Sequence, residues 1–240
     1  MPTLSFHQLE KHYGPVRALD GFTASVLPGR ITAFLGANGA GKTTSMRIML
    51  GLSEPTSGAA TIDGQRYADL QHPLRTVGAV LDQGFHPNRS ARNHLRLIAM
   101  QATMPFARAD HLLAFVGLAD VAGRRVGGFS LGMRQRLALA SALVGDPSVL
   151  ILDEPLNGLD PDGIRDMRQF MRQFADNGGT VFLSSHLLAE VAAIADDLVV
   201  INRGRLAAAG TVADLVPDTS DLESVFQDLV HPAREQERLS

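Results

Sequence analysis

The chain contains no cysteine, which excludes disulfide frameworks, iron–sulfur clusters and thiolate zinc sites, and allows a reducing compartment. Lysine is nearly absent as well: of 22 lysine and arginine residues, only Lys11 and Lys42 are lysines. No run approaches the roughly 18 to 20 consecutive apolar residues that a membrane span requires. The most apolar segment near the C-terminus is broken by Asp196 and Asp197. The N-terminal stretch MPTLSFHQLEKHYG lacks the basic and apolar regions of a secretory signal, so the expectation is a chain that stays in the cytosol unless something anchors it. Positive charge is not in excess either. Twenty-two basic residues against 25 acidic ones leave −3, without the field that binding to a phosphate backbone draws on. Nucleic acid is therefore not the expected partner.

What is present is ordinary for a folded chain. An apolar fraction of 45% and a charged fraction of 20% exclude intrinsic disorder, and 240 residues suit one α/β unit with an insertion. Residues 31–35 (ITAFL) form an apolar run, followed by a glycine-rich stretch and then by Ser45, Met46, Ile48, Met49 and Leu50, spaced as one helix face. Further short runs at 77–81, 149–152, 180–183 and 197–201 alternate with helical or turn-rich sequence, which predicts a mainly parallel sheet flanked by helices. Residues 3–9 and 18–27 alternate in a β pattern, with turns at Tyr13-Gly14 and Pro28-Gly29, and predict an antiparallel sheet ahead of the parallel core. Residues 90–145 carry long helical patterns (94–100, 109–115, 131–144) and no strand. The organisation read from this is a single domain over 1–215, with a core of 1–83 and 147–215 and an inserted helical subdomain over 84–146. A short C-terminal helix (222–229) and a loose tail occupy 216–240.

Gly36-Ala-Asn-Gly-Ala-Gly41-Lys42-Thr43 fits GxxxxGK[ST] between a predicted strand and a predicted helix. Glycines let successive backbone N–H groups turn inward on phosphate oxygens, and the helix directs its positive end at the same anions. Lys42 adds a charge for the terminal phosphates and Thr43 a hydroxyl for Mg²⁺. Asn38, Gly39, Ala40, Gly41 and Thr44 complete the candidate ATP contacts. At the end of the run Val149–Leu152 stand Asp153 and Glu154. Strand neighbours point to opposite sides, so the two carboxylates are expected to divide the work: Asp153 toward the hydrated Mg²⁺, Glu154 toward the attacking water.

A third string, Phe129-Ser-Leu-Gly-Met-Arg-Gln135-Arg136, resembles the LSGGQ signature and its following QR pair, and with it residues 13–211 resemble the nucleotide-binding subunit of an ATP-binding cassette (ABC) transporter. The resemblance implies a P-loop NTPase core, Mg²⁺-dependent ATP hydrolysis and a head-to-tail pair. In that pair Ser130, Gly132, Met133 and Asp160 approach the ATP held by the opposite subunit. Ser130 also suits an N-cap at an anion-binding helix start. Leu131 and Met133 depart from the signature, as in antibiotic- and peptide-export or self-immunity ATPases.

By the same resemblance, Gly158-Leu-Asp160-Pro161 is the D-loop, His186 the switch histidine facing the γ-phosphate, and Tyr13 the aromatic that stacks on adenine. Gln83, on Mg²⁺ and the water, is favoured over Asp82 for the glutamine loop. The string Leu222-Glu-Ser-Val-Phe226 resembles the ending of ABC-2-type export ATPases. The partners implied are a separate integral-membrane permease, docking along 84–107, and a second ATPase subunit, identical or different. Together they place the chain on the cytoplasmic face of the membrane. The competing class is a soluble ABC ATPase acting on nucleic acid, the ribosome or cofactor assembly; the single cassette and the absence of cysteine argue against it.

Overall fold

The structure, a computed structural model, describes residues 2–81, 84–216 and 222–230. In chain order the elements are β1 (Leu4–Tyr13), β2 (Val16–Val26), β3 (Ile31–Leu35), α1 (Lys42–Met49), β4 (Ser57–Ile62), α2 (Pro73–Thr76), β5 (Val77–Val80), α3 (Ala91–Gln101), α4 (Ala107–Phe115), α5 (Leu131–Leu143), β6 (Val149–Asp153), α6 (Pro161–Asp176), β7 (Thr180–Ser184), α7 (Leu188–Ala192), β8 (Asp197–Asn202), β9 (Arg205–Thr211), α8 (Val212–Leu215) and α9 (Leu222–Val230).

Two sheets result. The smaller runs β2-β1-β4 and is antiparallel; the larger runs β5-β6-β7-β3-β8-β9, parallel except for the β8–β9 pair. All five parallel strands are almost wholly apolar and buried, as strands covered on both faces must be. β4 and β9 were not foreseen. Both are small-residue stretches, SGAATI and RLAAAGT, whose strand character comes from the neighbour they pair with.

The sheets are joined by phenylalanine. Phe6 of β1 and Phe22 of β2 lie 5.3 Å apart, Phe22 lies 5.6 Å from Phe34 of β3, Phe34 5.1 Å from Phe182 of β7, and Phe182 5.9 Å from Phe6. All four rings are buried, and offset or tilted pairs at these spacings add attraction beyond area burial. The apolar face of α1, Met46, Ile48 and Met49, packs into the same cluster. This fixes the helix, and the loop before it, against the end of β3.

On the other face, α3, α4 and α5 pack together between β5 and β6 in sequence, and no strand lies among the described residues from 84 to 146. Their interior is Leu95, Ala99, Leu112, Leu113 and Leu137. The acids that interrupt the C-terminal apolar run are each paired. Asp197 accepts two hydrogen bonds from Arg30 at 2.6 and 2.7 Å, and Asp196 accepts two from Arg172 at 3.0 and 3.1 Å. They anchor the start of β8 at the end of the sheet away from the glycine loop. α9 spans Leu222–Val230; residues 231–240 of the expected tail lie outside the described residues.

Candidate active site

The glycine loop leaves the carboxyl end of β3, where open parallel sheets bind ligands. α1 begins at Lys42 with Gly41 as its N-cap at φ 115°, a conformation that only glycine adopts at little cost. A Cβ on Gly41 would also stand 2.6 Å from the Ala18 carbonyl oxygen, so the position is closed to other residues twice over. Lys42 Nζ donates to the Gly36 carbonyl at 2.7 Å and to that of Ala37 at 3.3 Å. Its side chain is thereby laid along the loop. Burial pushes this ammonium below the ordinary lysine range, partly opposed by the negative charges of Glu154 and Asp153.

A pocket of about 270 Å³ opens here, lined by Asn38, Gly39, Gly41, Lys42, Thr43, Thr44, Asp153 and Glu154. Ala40, grouped with them from the motif, is buried, and its N–H is bonded to the Ala37 carbonyl at 3.1 Å. Thr43 Oγ1 donates to Asp153 Oδ2 at 2.7 Å, a hydroxyl and a carboxylate side by side. Hard oxygen donors of this kind suit Mg²⁺ bound through one or two protein groups and substrate phosphates. Among the described residues no cluster of three acidic, histidine or cysteine side chains offers an all-protein metal cage.

The two carboxylates diverge for a reason other than strand alternation. β6 ends at Asp153, and Glu154 turns off it at φ 51°, a left-handed conformation that costs a non-glycine residue roughly 1–2 kcal/mol. Its backbone N–H donates to the Ser184 hydroxyl at 3.0 Å, and Ser184 Oγ in turn donates to Asp153 Oδ1. Ser184 is fully buried and sits opposite Asp153 in the β6–β7 register. One hydroxyl therefore braces both acidic residues. Sequence reasoning named His186 alone in this stretch and gave Ser184 no role, so it missed this brace. Glu154 Oε2 lies 2.8 Å from His186 Nδ1 and accepts from the His186 backbone N–H at 3.3 Å, so the carboxylate and the imidazole meet on the pocket's rim.

The remaining expected residues lie further off. Tyr13 is half exposed at the tip of the β1–β2 hairpin, with Lys11 Nζ 4.9 Å from its ring centroid. Ser130 caps α5, its hydroxyl accepting from Met133 N at 3.2 Å, and Asp160 caps α6 through Gly163 N at 2.9 Å. Ser130, Gly132, Met133 and Asp160 do not line the pocket of their own chain. Leu131, half exposed, lies against Gly158, whose φ of 73° and lack of a side chain make room for it. The signature departure is thus packed on the D-loop glycine. Gln135 of the following pair is buried and donates to the Pro155 carbonyl at 2.8 Å, tying α5 to the chain just past Glu154. Asp82 and Gln83 lie outside the described residues.

Several known proteins are similar to this chain. Over 202 residues the chain is 42% identical to the bacitracin transport ATP-binding protein BcrA of Bacillus licheniformis, covering 82% of this chain and 66% of that protein. The lantibiotic transport ATP-binding protein SrtF of Streptococcus pyogenes is 36% identical over 204 residues, covering 85% and 88%. The chain therefore spans about two thirds of the length of that BcrA protein and most of SrtF. A solved structure of the ATP binding subunit of an ABC transporter superposes with a TM-score of 0.85 at 29% identity, covering 94% of this chain and 98% of that one. A bacterial Atm1-family ABC exporter with ATP bound superposes at 0.79 and 28% identity, over 89% of this chain and 39% of that one. The profile of the ABC transporter family matches residues 19–157, more than half of the sequence and the stretch that holds the glycine loop, the signature and both carboxylates. On that match and this geometry, the chain belongs to the ABC transporter family, whose ATP-binding subunits hydrolyse ATP to drive transport.

Proposed function

We propose that the chain is the ATP-hydrolysing subunit of a bacterial exporter for a peptide antibiotic or similar drug. The names of BcrA and SrtF support the substrate class. The observation that carries the reading is the pocket in which Lys42, Thr43, Asp153 and Glu154 converge. In it, the N–H groups at the start of α1 and the Lys42 ammonium receive the β- and γ-phosphates. Lys42 must leave the Gly36 and Ala37 carbonyls to do so; phosphate is the stronger acceptor, because the bond becomes charge-assisted at both ends.

Mg²⁺, when bound with ATP, would be held by Thr43 and Asp153, with Gln83 added by family likeness, and would neutralise charge on the phosphates. Glu154 orients the attacking water and takes its proton, in the position its left-handed backbone and the Ser184 brace give it. His186 holds the Glu154 carboxylate through Nδ1 and contacts the γ-phosphate. Phosphoryl transfer rests chiefly on such positioning and charge stabilisation. Tyr13 stacks on the base, an attraction that does not read hydrogen-bonding edges. A second subunit brings Ser130, Gly132, Met133 and Asp160 to the open side of the same ATP. No helix among the described residues is long and apolar enough to cross a membrane, so in this reading a separate permease, docked near 84–107, supplies the path and holds the chain at the cytoplasmic face.

Isothermal calorimetry tests the site. The unaltered chain binds ATP and Lys42→Ala does not; near-normal affinity in Lys42→Ala would remove the loop from the binding role. Tyr13→Ala weakens ATP and GTP alike, by roughly 1–3 kcal/mol if stacking on nucleic-acid bases is a guide.

A further inference from the structure

The chain's other lysine, Lys11, lines no part of the phosphate pocket, yet its ammonium is held at two points. Its Nζ donates to the Glu54 carbonyl at 2.6 Å and stands 4.9 Å from the centroid of the Tyr13 ring. Two residues apart on β1, the two side chains leave the strand on the same side. A cation within about 6 Å of a ring centroid is attracted by the electron-rich face. Lys11 makes no ion pair among the described residues, so the common surface use of a lysine charge is absent. Tyr13 is half exposed and makes no ring–ring contact among the described residues.

The anchor is built without any nucleotide. The turn after α1 is bonded to β1 at three places: the Glu54 carbonyl accepts from Lys11 Nζ, Thr56 N donates to the Glu10 carbonyl at 2.8 Å, and His12 N donates to Thr56 Oγ1 at 3.0 Å. In the β1–β2 register Lys11 stands opposite Leu19. A Cβ on Gly41 would lie 2.8 Å from Leu19 Cδ2, so Leu19 packs directly on the phosphate loop. Lys11 is thus one rung of the ladder from that loop, while its ammonium is directed at the Tyr13 ring.

We propose that Lys11 is a positioning residue for the nucleotide base: it holds the Tyr13 ring by one face and leaves the other face to receive the adenine. The proposal rests on the reading of Tyr13 as the base-stacking residue and adds what keeps that ring in place. Without the ammonium, an aromatic side chain at an exposed hairpin tip moves among its rotamers, and an arriving base must immobilise it. Ordering one such side chain on binding weakens affinity by about two- to ten-fold. With Lys11 anchored on Glu54, the ordering is complete before the base arrives. A direct attraction of Lys11 for the phosphates is a different role, and it would act on any polyphosphate, with or without a base.

The test uses the full chain and isothermal calorimetry in the presence of Mg²⁺, with two probes: ATP, and tripolyphosphate, which carries the phosphates alone. Lys11→Met should weaken ATP by about two- to ten-fold and leave tripolyphosphate unchanged. Lys11→Arg, which keeps a cation over the ring, should restore ATP affinity. In a Tyr13→Ala background, Lys11→Met should add no further loss, because no ring is left to hold. Misfolding of a variant would lower the number of sites titrated and not the affinity of those that remain. Equal weakening of both probes would make Lys11 a phosphate contact and overturn the proposal. So would tighter ATP binding by Lys11→Met, which would mean that the ammonium covers the face the base needs, and so would additive losses in the double variant. Unchanged ATP affinity in Lys11→Met, where Tyr13→Ala weakens it, overturns the role of Lys11 alone. Unchanged affinity in Tyr13→Ala overturns the base-stacking reading, and the role of Lys11 with it.

Discussion

The hydroxyl of Ser184 stands between two adjacent acidic residues: it donates to Asp153 Oδ1 and accepts from the backbone N–H of Glu154 at 3.0 Å. Thr43 holds the other oxygen of Asp153 at 2.7 Å, so the carboxylate is gripped from both sides. Groups that orient a metal-directed carboxylate are worth about 10- to 100-fold in metal affinity. Ser184→Ala should therefore raise by about ten-fold or more the Mg²⁺ concentration that half-saturates ATP hydrolysis, and weaken Mn²⁺ binding, read by paramagnetic resonance with ATP, to a similar degree. Ser184→Thr, which keeps the hydroxyl, should restore both. A shift in melting temperature without a shift in metal dependence would reduce Ser184 to a packing role.

His94 gives the fold a sensitivity to acid. Its ring is partly buried between Phe85, 5.0 Å away edge-on, and the Ser141 hydroxyl at 3.1 Å. Burial first, and then the positive charge of Arg89, push its pKa below the ordinary imidazole value. A group less basic folded than unfolded binds fewer protons in the native state. Stability is then unaffected above the unfolded pKa of about 6.5 and falls as pH drops below it. Melting temperature should decline from pH 7 to pH 5, and His94→Gln should flatten that decline. An equal slope in the variant would shift the cause to other groups.

The phenylalanine link between the two sheets is expected to be a stability determinant and not a catalytic one. Phe182→Ala removes a fully buried ring from both the Phe34 and the Phe6 contacts, and should cost about 3–5 kcal/mol in chemical denaturation. Phe182→Leu should cost much less, with ATP affinity kept by the folded fraction.

Assembly is tested by complementation. Ser130, Gly132, Met133 and Asp160 line no part of their own chain's pocket, so a head-to-tail pair is expected to combine them with the partner's phosphate loop. If the two subunits are identical, Ser130→Arg and Lys42→Ala chains are each inactive alone, and mixing them restores one intact site per mixed pair. Inactivity of a mixture whose pairing is shown by crosslinking would contradict the shared site in a homodimer.

Much of this was legible in the sequence where the signal is local. The run 31–35 became β3 with those bounds, because five buried apolar residues ahead of a glycine loop leave few alternatives. Ser130 and Asp160 cap their helices as short polar residues at those positions should. What escaped depends on partners distant in sequence. β9 exposes most of its length and has no alternation of its own; only the backbone of β8 makes it a strand. Ser184 reaches Asp153 across 31 positions through the β6–β7 register. The divergence of Asp153 and Glu154 was expected from strand alternation, yet comes from a left-handed residue just past the strand end, which no periodicity predicts. Leu131 reads as a lapse in the signature until Gly158 is seen beneath it.

The account turns on Glu154, and one variant tests it most directly. Glu154→Gln keeps the shape of the side chain and removes its capacity to take a proton. In a single assay with radiolabelled ATP and Mg²⁺, the variant should bind ATP as tightly as the unaltered chain. It should release phosphate slower by about 10²- to 10⁴-fold. Undiminished phosphate release with normal ATP binding would show that another group activates the water.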